Sequence, residues 1–117
     1  MLTIQPEQME AMKKYMADSF EDRMVDHLKK RFPERSEGQP DLRAMIRDGV
    51  ARAENYGIEY EFDIRRYLEC MLLLGRNFDR EKGYPWVREI LLREDLCGEG
   101  KMDEIQEYML FEMDAPL

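Results

Sequence analysis

Apolar residues recur at Met9, Met12, Met16, Phe20, Met24 and Leu28, in steps of three or four, the spacing of one face of an α-helix. Pro6 suits a first helical turn, where its missing N–H is no loss, so the pattern predicts a long helix from about Pro6 to Arg31. Asp18 and Ser19 favour caps over helix interiors and mark where that helix would bend. The segment "PERSEGQP" after Phe32 holds two prolines, a glycine and charges without periodicity, and reads as a loop. Asp41 is placed to cap a second helix whose face is Leu42, Met45, Ile46, Gly49, Val50 and Ala53. Tyr56 ends it, Gly57 suits the left-handed turn that closes helices, and Ile58 supplies the apolar contact that follows such a turn.

A third helix is expected from about Glu61 to Leu74, with Ile64, Tyr67, Leu68, Met71 and Leu72 inward and Gly75 as its stop. Its last turns are apolar on almost every side, which makes it the central helix of the set. The loop "RNFDREKGY" leads to Pro85 and a short helix with Val87, Ile90 and Leu91 on one face. "DLCGEG" breaks the chain again, and a fifth helix from about Lys101 to Met113 carries Met102, Ile105, Met109 and Met113. No period-2 strand pattern, hairpin dipeptide, internal repeat or low-complexity segment appears. The expectation is an all-α, single-domain bundle of about five helices over residues 1–117.

Composition supports a folded chain. With 44% hydrophobic and 38% charged residues, there is enough apolar material for one core and a heavily charged surface. Ten methionines point mainly to core packing, since the thioether fills irregular gaps. No apolar run approaches the length of a membrane span; the longest is Cys70 to Leu74. The opening "MLTIQPEQME" lacks a signal-peptide pattern, so a cytoplasmic location is expected. Cys70 and Cys97 form no CxxC or Cys/His cluster and read as reduced structural thiols.

Charge changes the picture most. The net charge of −8 is uneven: residues 1–31 balance, 32–58 carry −1, 59–75 carry −2, 76–98 balance, and 99–117 carry −5. Acids in the last nineteen residues disfavour nucleic acid as a partner, because that affinity rests on cations displacing counterions from phosphates.

Specific chemistries fare poorly. "ARAENYGIEYEFDIRRYLE" has the outline of a helix-turn-helix, but its second helix would begin with Glu59, Glu61 and Asp63, which a phosphate backbone repels, against only Arg65 and Arg66. Cys70 lies in the apolar "LECMLLLG", a setting that raises a thiol pKa, so burial outweighs nucleophilic use with His27, the only histidine. His27 has Arg23 and Arg31 four residues away on either side, which argues against a metal. The acids Glu59, Glu61 and Asp63 look solvated, whereas general acid–base work needs carboxylates in a dry cleft. "DREKGYPWVREI" has the wrong spacing for a calcium loop, and no phosphate loop or hydrolase triad order is present. Neither a cofactor nor a metal is implied.

The acidic tail "GEGKMDEIQEYMLFEMDAPL" remains. One helical face can dock on the bundle while the other presents Asp103, Glu104, Glu107 and Glu112 with Tyr108 among them. Such a surface would steer a basic protein partner and hold it through desolvated anchors. An ordinary charged solvent face is the competing reading. The loop "NFDREKGYPW", with Tyr84 and Trp86, is the second candidate surface, although a loop tucked onto the core would need its aromatics equally.

The segments "IQPEQ", "YGI" followed by Asp63, "RYLECMLLLG", "FD" and "PWVREIL" together resemble a family of small acidic bacterial proteins associated with gene clusters of type VI secretion and its polymorphic toxins. The resemblance runs from Ile4 to about Leu92 and excludes the tail after Leu96. It brings no catalytic residues. It implies a non-enzymatic cytoplasmic protein that accompanies a secreted effector, as an immunity protein or a loading accessory. Two alternatives stay open: a small helical enzyme using paired carboxylates, and a structural homodimer.

Overall fold

The computed structural model describes residues 6–80 and 83–112, with residues 6–15 as backbone alone. The described residues form six helices and no strand: α1 (Pro6–Arg31), α2 (Pro33–Glu37), α3 (Leu42–Asn55), α4 (Glu61–Leu74), α5 (Pro85–Leu91) and α6 (Gly98–Glu112). The all-α class is therefore as the periodicity predicts, with one helix more than expected. The additional element is α2, inside the segment read as a loop. Pro33 occupies the first turn of α2 and Glu34 follows it, a favourable helix start, so the proline that breaks one helix begins another.

Contacts group the chain into two compact units, one up to Ile46 and one from Arg47 onward. In the first, α1 runs unbroken through Asp18 and Ser19. Phe20, Met24 and Leu28 of its apolar stripe are buried, whereas Met16 is 60% exposed. Met9 and Met12 lie outside the residues whose side chains are described. The buried Ser36 hydroxyl of α2 donates at 2.9 Å to the Leu28 carbonyl, which also accepts from the Phe32 N–H at 2.8 Å, and so ties α2 to the last turn of α1. Arg43, in the first turn of α3, donates to Glu21 of α1 at 3.1 Å and also to Asp22. Asp41 caps α3 as expected, its Oδ1 accepting from the Ala44 N–H at 3.0 Å.

In the second unit, α3 ends in a Schellman motif. Gly57 takes φ +80°, its N–H donates to the Glu54 carbonyl at 3.0 Å, and the Ile58 N–H donates to the Ala53 carbonyl at 2.9 Å. Ile58 is fully buried, which supplies the apolar half of the motif. Helix α4 has the predicted limits, and Ile64, Tyr67, Leu68, Met71 and Leu72 are all buried. Burying each aliphatic side chain of this set stabilises by about 2 kcal/mol. Gly75, at φ +110°, closes the helix and donates to the Met71 carbonyl.

Helix α3 approaches α4 closely at Gly49, where an added Cβ would lie 2.4 Å from Leu68 Cδ2 and 2.6 Å from Met71 Sδ. Helix α6 begins three residues before the expected start. There Gly98 lies against the turn that joins α3 to α4, with room for no Cβ: Ile58 Cα would be 2.8 Å away and the Gly57 carbonyl oxygen 2.9 Å. Met102, Ile105 and Met109 are buried as predicted; Met113 lies outside the described residues. No helix among the described residues is long and apolar enough to cross a membrane.

Candidate functional site

Charged residues of the second unit fall into three groups. The first is internal. Asp79 is fully buried and accepts from Arg52 at 3.0 Å through one oxygen and from the Tyr56 hydroxyl at 2.8 Å through the other. The Arg52 guanidinium also donates to the Arg76 carbonyl at 2.8 Å and to Asn77 at 3.0 Å, so one side chain fastens the loop after α4 onto α3. Burial first, and then the hydrogen bond to Asp79, push the Tyr56 phenol above its ordinary value. Phe78, in the aromatic loop, tucks onto the core, the competing reading of that loop: it is 1% exposed, with its ring 5.1 Å from that of Tyr67. Tyr67 is likewise raised, chiefly by desolvation. The buried Lys101 donates to the Tyr56 carbonyl at 2.6 Å, a cation at the C-terminal end of α3 where the helix dipole favours one.

The second group joins α4 to α6. Arg66, 6% exposed, donates to Asp63 at 3.0 Å, Gln106 at 2.8 Å and Asp103 at 2.6 Å. Asp63 is buried, not solvated as the sequence suggests, because the guanidinium one turn along the same helix covers it. Glu59 and Glu61 are exposed. Arg66, committed to three partners on two helices, is not available to a phosphate backbone.

The third group is the outer face of α5 and α6. Here Trp86 of α5 and Tyr108 of α6 stack with ring centroids 3.9 Å apart and planes 23° from parallel, and Tyr84 meets Trp86 edge-on at 6.2 Å. The two candidate surfaces read from the sequence, the acidic tail and the aromatic loop, thus meet in one place. Beside the stack lies an open groove of about 470 Å³ lined by Ile90, Glu104, Glu107, Tyr108, Phe111 and Glu112. Phe111 is 79% exposed, and Leu110 and Leu92 are also exposed. Of the proposed partner-binding residues, Glu104, Glu107, Tyr108 and Glu112 line this groove, Tyr84 and Trp86 flank it, and Asp103 does not belong to it, being turned toward Arg66.

The four acids of α6 singled out from the sequence, Asp103, Glu104, Glu107 and Glu112, are not equivalent. Asp103 pairs with Arg66, and Glu104 pairs with Arg93 at 2.9 Å, a residue that also grips Asp95 at 2.6 Å. The hydrogen bond from Arg93 holds the Asp95 carboxyl below the usual carboxylate range. Glu107 and Glu112 are exposed, and no cation stands beside either among the described residues. The last turn of α6 contains no basic residue, so Glu112 sits at the helix end whose dipole disfavours negative charge.

The two cysteines also part ways. Cys70 is fully buried, its Sγ 3.8 Å from Met109 Sδ, and desolvation pushes its thiol up to about 12. Cys97 is exposed, with its Sγ accepting from the Gly100 N–H at 3.4 Å at the start of α6, and both are free thiols. Among the described residues, no group of three His, Cys, Asp or Glu side chains is placed to hold a metal ion.

No family model, curated protein or solved structure matches the chain. The functional reading therefore rests on the chemistry of this surface. Sequence spacing could not have found its two decisive features, the Trp86–Tyr108 stack and the neutralisation of Asp103 and Glu104. Each joins residues on different elements; the signal that was present was the excess of acids and aromatics near the chain's end.

Proposed function

We propose that this chain is a non-enzymatic protein-binding module that captures a partner with a basic surface through the outer face of α5 and α6. The observation that carries the proposal is the pair Glu107 and Glu112, exposed without cations beside them among the described residues, next to the stacked Trp86 and Tyr108. Unpaired rim carboxylates speed the capture of a positive partner, and an aromatic pair with one exposed side supplies the area that holds it. The groove is open, with two of its three carboxylates exposed and the third held by Arg93, which suits binding better than proton transfer in a dry cleft.

Joined to the resemblance to small acidic proteins of type VI secretion and polymorphic-toxin clusters, this supports a role as a cytoplasmic immunity or accessory protein for a secreted effector. An acidic face of this kind would occlude a basic active-site cleft. Co-expression with the product of the neighbouring open reading frame is the test. Relief of that product's toxicity by the wild-type chain, and loss of both relief and binding in E107K/E112K, is the expected result. Unchanged binding in that variant would overturn the proposal. Glu107 and Glu112 are the pair to reverse, because reversal at Glu104 would also break its ion pair with Arg93.

A further inference from the structure

Resting on the binding face proposed above, we infer that the groove between α5 and α6 takes a basic amphipathic helix of the partner, with an apolar side chain seated against Ile90 and Phe111 and Lys or Arg side chains reaching Glu107 and Glu112. Three observations lead there. The groove follows α6 from Glu104 to Glu112, a rise of about 12 Å, which matches two turns of a helix laid along it. Its wall is helical, five lining residues coming from α6 and Ile90 from α5, and the described residues contain no strand, so there is no sheet edge for an extended peptide to join. Its charge is incomplete: Asp103 and Glu104 have cations from the chain's own Arg66 and Arg93, while Glu107 and Glu112 have none beside them among the described residues, and Glu112 stands at the negative end of the α6 dipole. Cations brought by a partner would relieve that repulsion. A second copy of the same groove would bring carboxylates against carboxylates.

Trp86 is the only tryptophan of the chain and is stacked on Tyr108, which lines the groove, so its emission reports occupancy through that ring. The full chain is titrated with a synthetic amphipathic helix of leucine and lysine, about two to four turns long. Controls are the same pattern with glutamate for lysine, and the basic peptide with a central proline. The expected result is a saturable change in Trp86 emission with the basic helix, at least about tenfold weaker with either control, weakened about tenfold by E107Q/E112Q and also by added salt. Equal binding of the acidic peptide or of the proline-broken one, or no effect of E107Q/E112Q, would overturn the inference. Trp86 emission that changes with protein concentration alone would assign the groove to a second copy. Peptide binding that occurs only after removal of residues 113–117 would assign it to the chain's own end. Either outcome also overturns the inference. The product of the neighbouring reading frame, titrated in parallel, separates the two levels. If it binds through Glu107 and Glu112 while the peptide fails, the helical mode is wrong and the acidic-face reading stands; if neither binds, both fall.

Discussion

In the first half of α6, Asp103 accepts from Arg66 and Glu104 from Arg93; in the second half, Glu107 and Glu112 face solvent with no cation beside them among the described residues. Further inside, Asp79 has no exposure at all, yet it is the most completely partnered carboxylate of the three regions, bonded by Arg52 and Tyr56. The contrast teaches that acid count along a sequence is a poor guide to available charge. A buried carboxylate persists only when donors surround it, and one within reach of arginine on a neighbouring helix is spoken for. What is left to meet a partner is the part of the acidic run that the fold does not neutralise.

The strongest way to break this contrast is to remove the internal carboxylate. Asp79→Ala leaves the Tyr56 hydroxyl without its acceptor and takes the buried carboxylate from Arg52, which keeps Asp48, Asn77 and the Arg76 carbonyl, and is expected to cost about 2 kcal/mol in urea unfolding. A loss below about 1 kcal/mol would place Asp79 among the dispensable acids. Similar in size is Gly98→Ala, which drives a Cβ into the backbone of Gly57 and Ile58. That collision costs about 2 kcal/mol, because backbone cannot step aside as a side-chain tip can, and circular dichroism melting would register it.

Alkaline pH sharpens the same distinction through Cys70. In the unfolded chain this thiol ionises near its ordinary 9.0; in the folded chain it keeps its proton up to about 12. The folded state therefore binds more protons in that window. Stability is fully present below about pH 9 and falls as pH rises toward 12, with the raised phenols of Tyr56 and Tyr67 adding to the decline above their ordinary value of 10.0. Cys70→Ala should flatten the first part of that slope. A slope unaltered by the substitution would mean the thiol ionises alike in both states. The smallest effect is expected at the outer face. E107Q/E112Q should shift stability by less than about 0.5 kcal/mol, toward greater stability, because it removes two exposed negative charges, one of them, at Glu112, from the C-terminal end of a helix. A clear destabilisation in thermal melts would show that these glutamates have structural partners after all.

The residues alone determined the helical class, the limits of α1, α3 and α4, the cap at Asp41, the left-handed turn at Gly57 and the inward face of α4. These are local properties: apolar spacing, capping side chains and glycine's access to positive φ act over a few neighbouring positions, so they can be read along the chain. The same locality explains the misreading of Pro33, since proline both stops one helix and starts another, and its neighbours did not show which effect would dominate. Tertiary packing decided the rest. It sent Phe78 to the core and left Trp86 half-buried against Tyr108, buried Asp63 beneath Arg66, exposed Cys97, and matched Asp103 and Glu104 with cations while leaving Glu107 and Glu112 without. Arg66 and Asp103 are 37 positions apart, Arg52 and Asp79 27. Coulomb attraction and desolvation depend on distance through space, which helical periodicity does not encode.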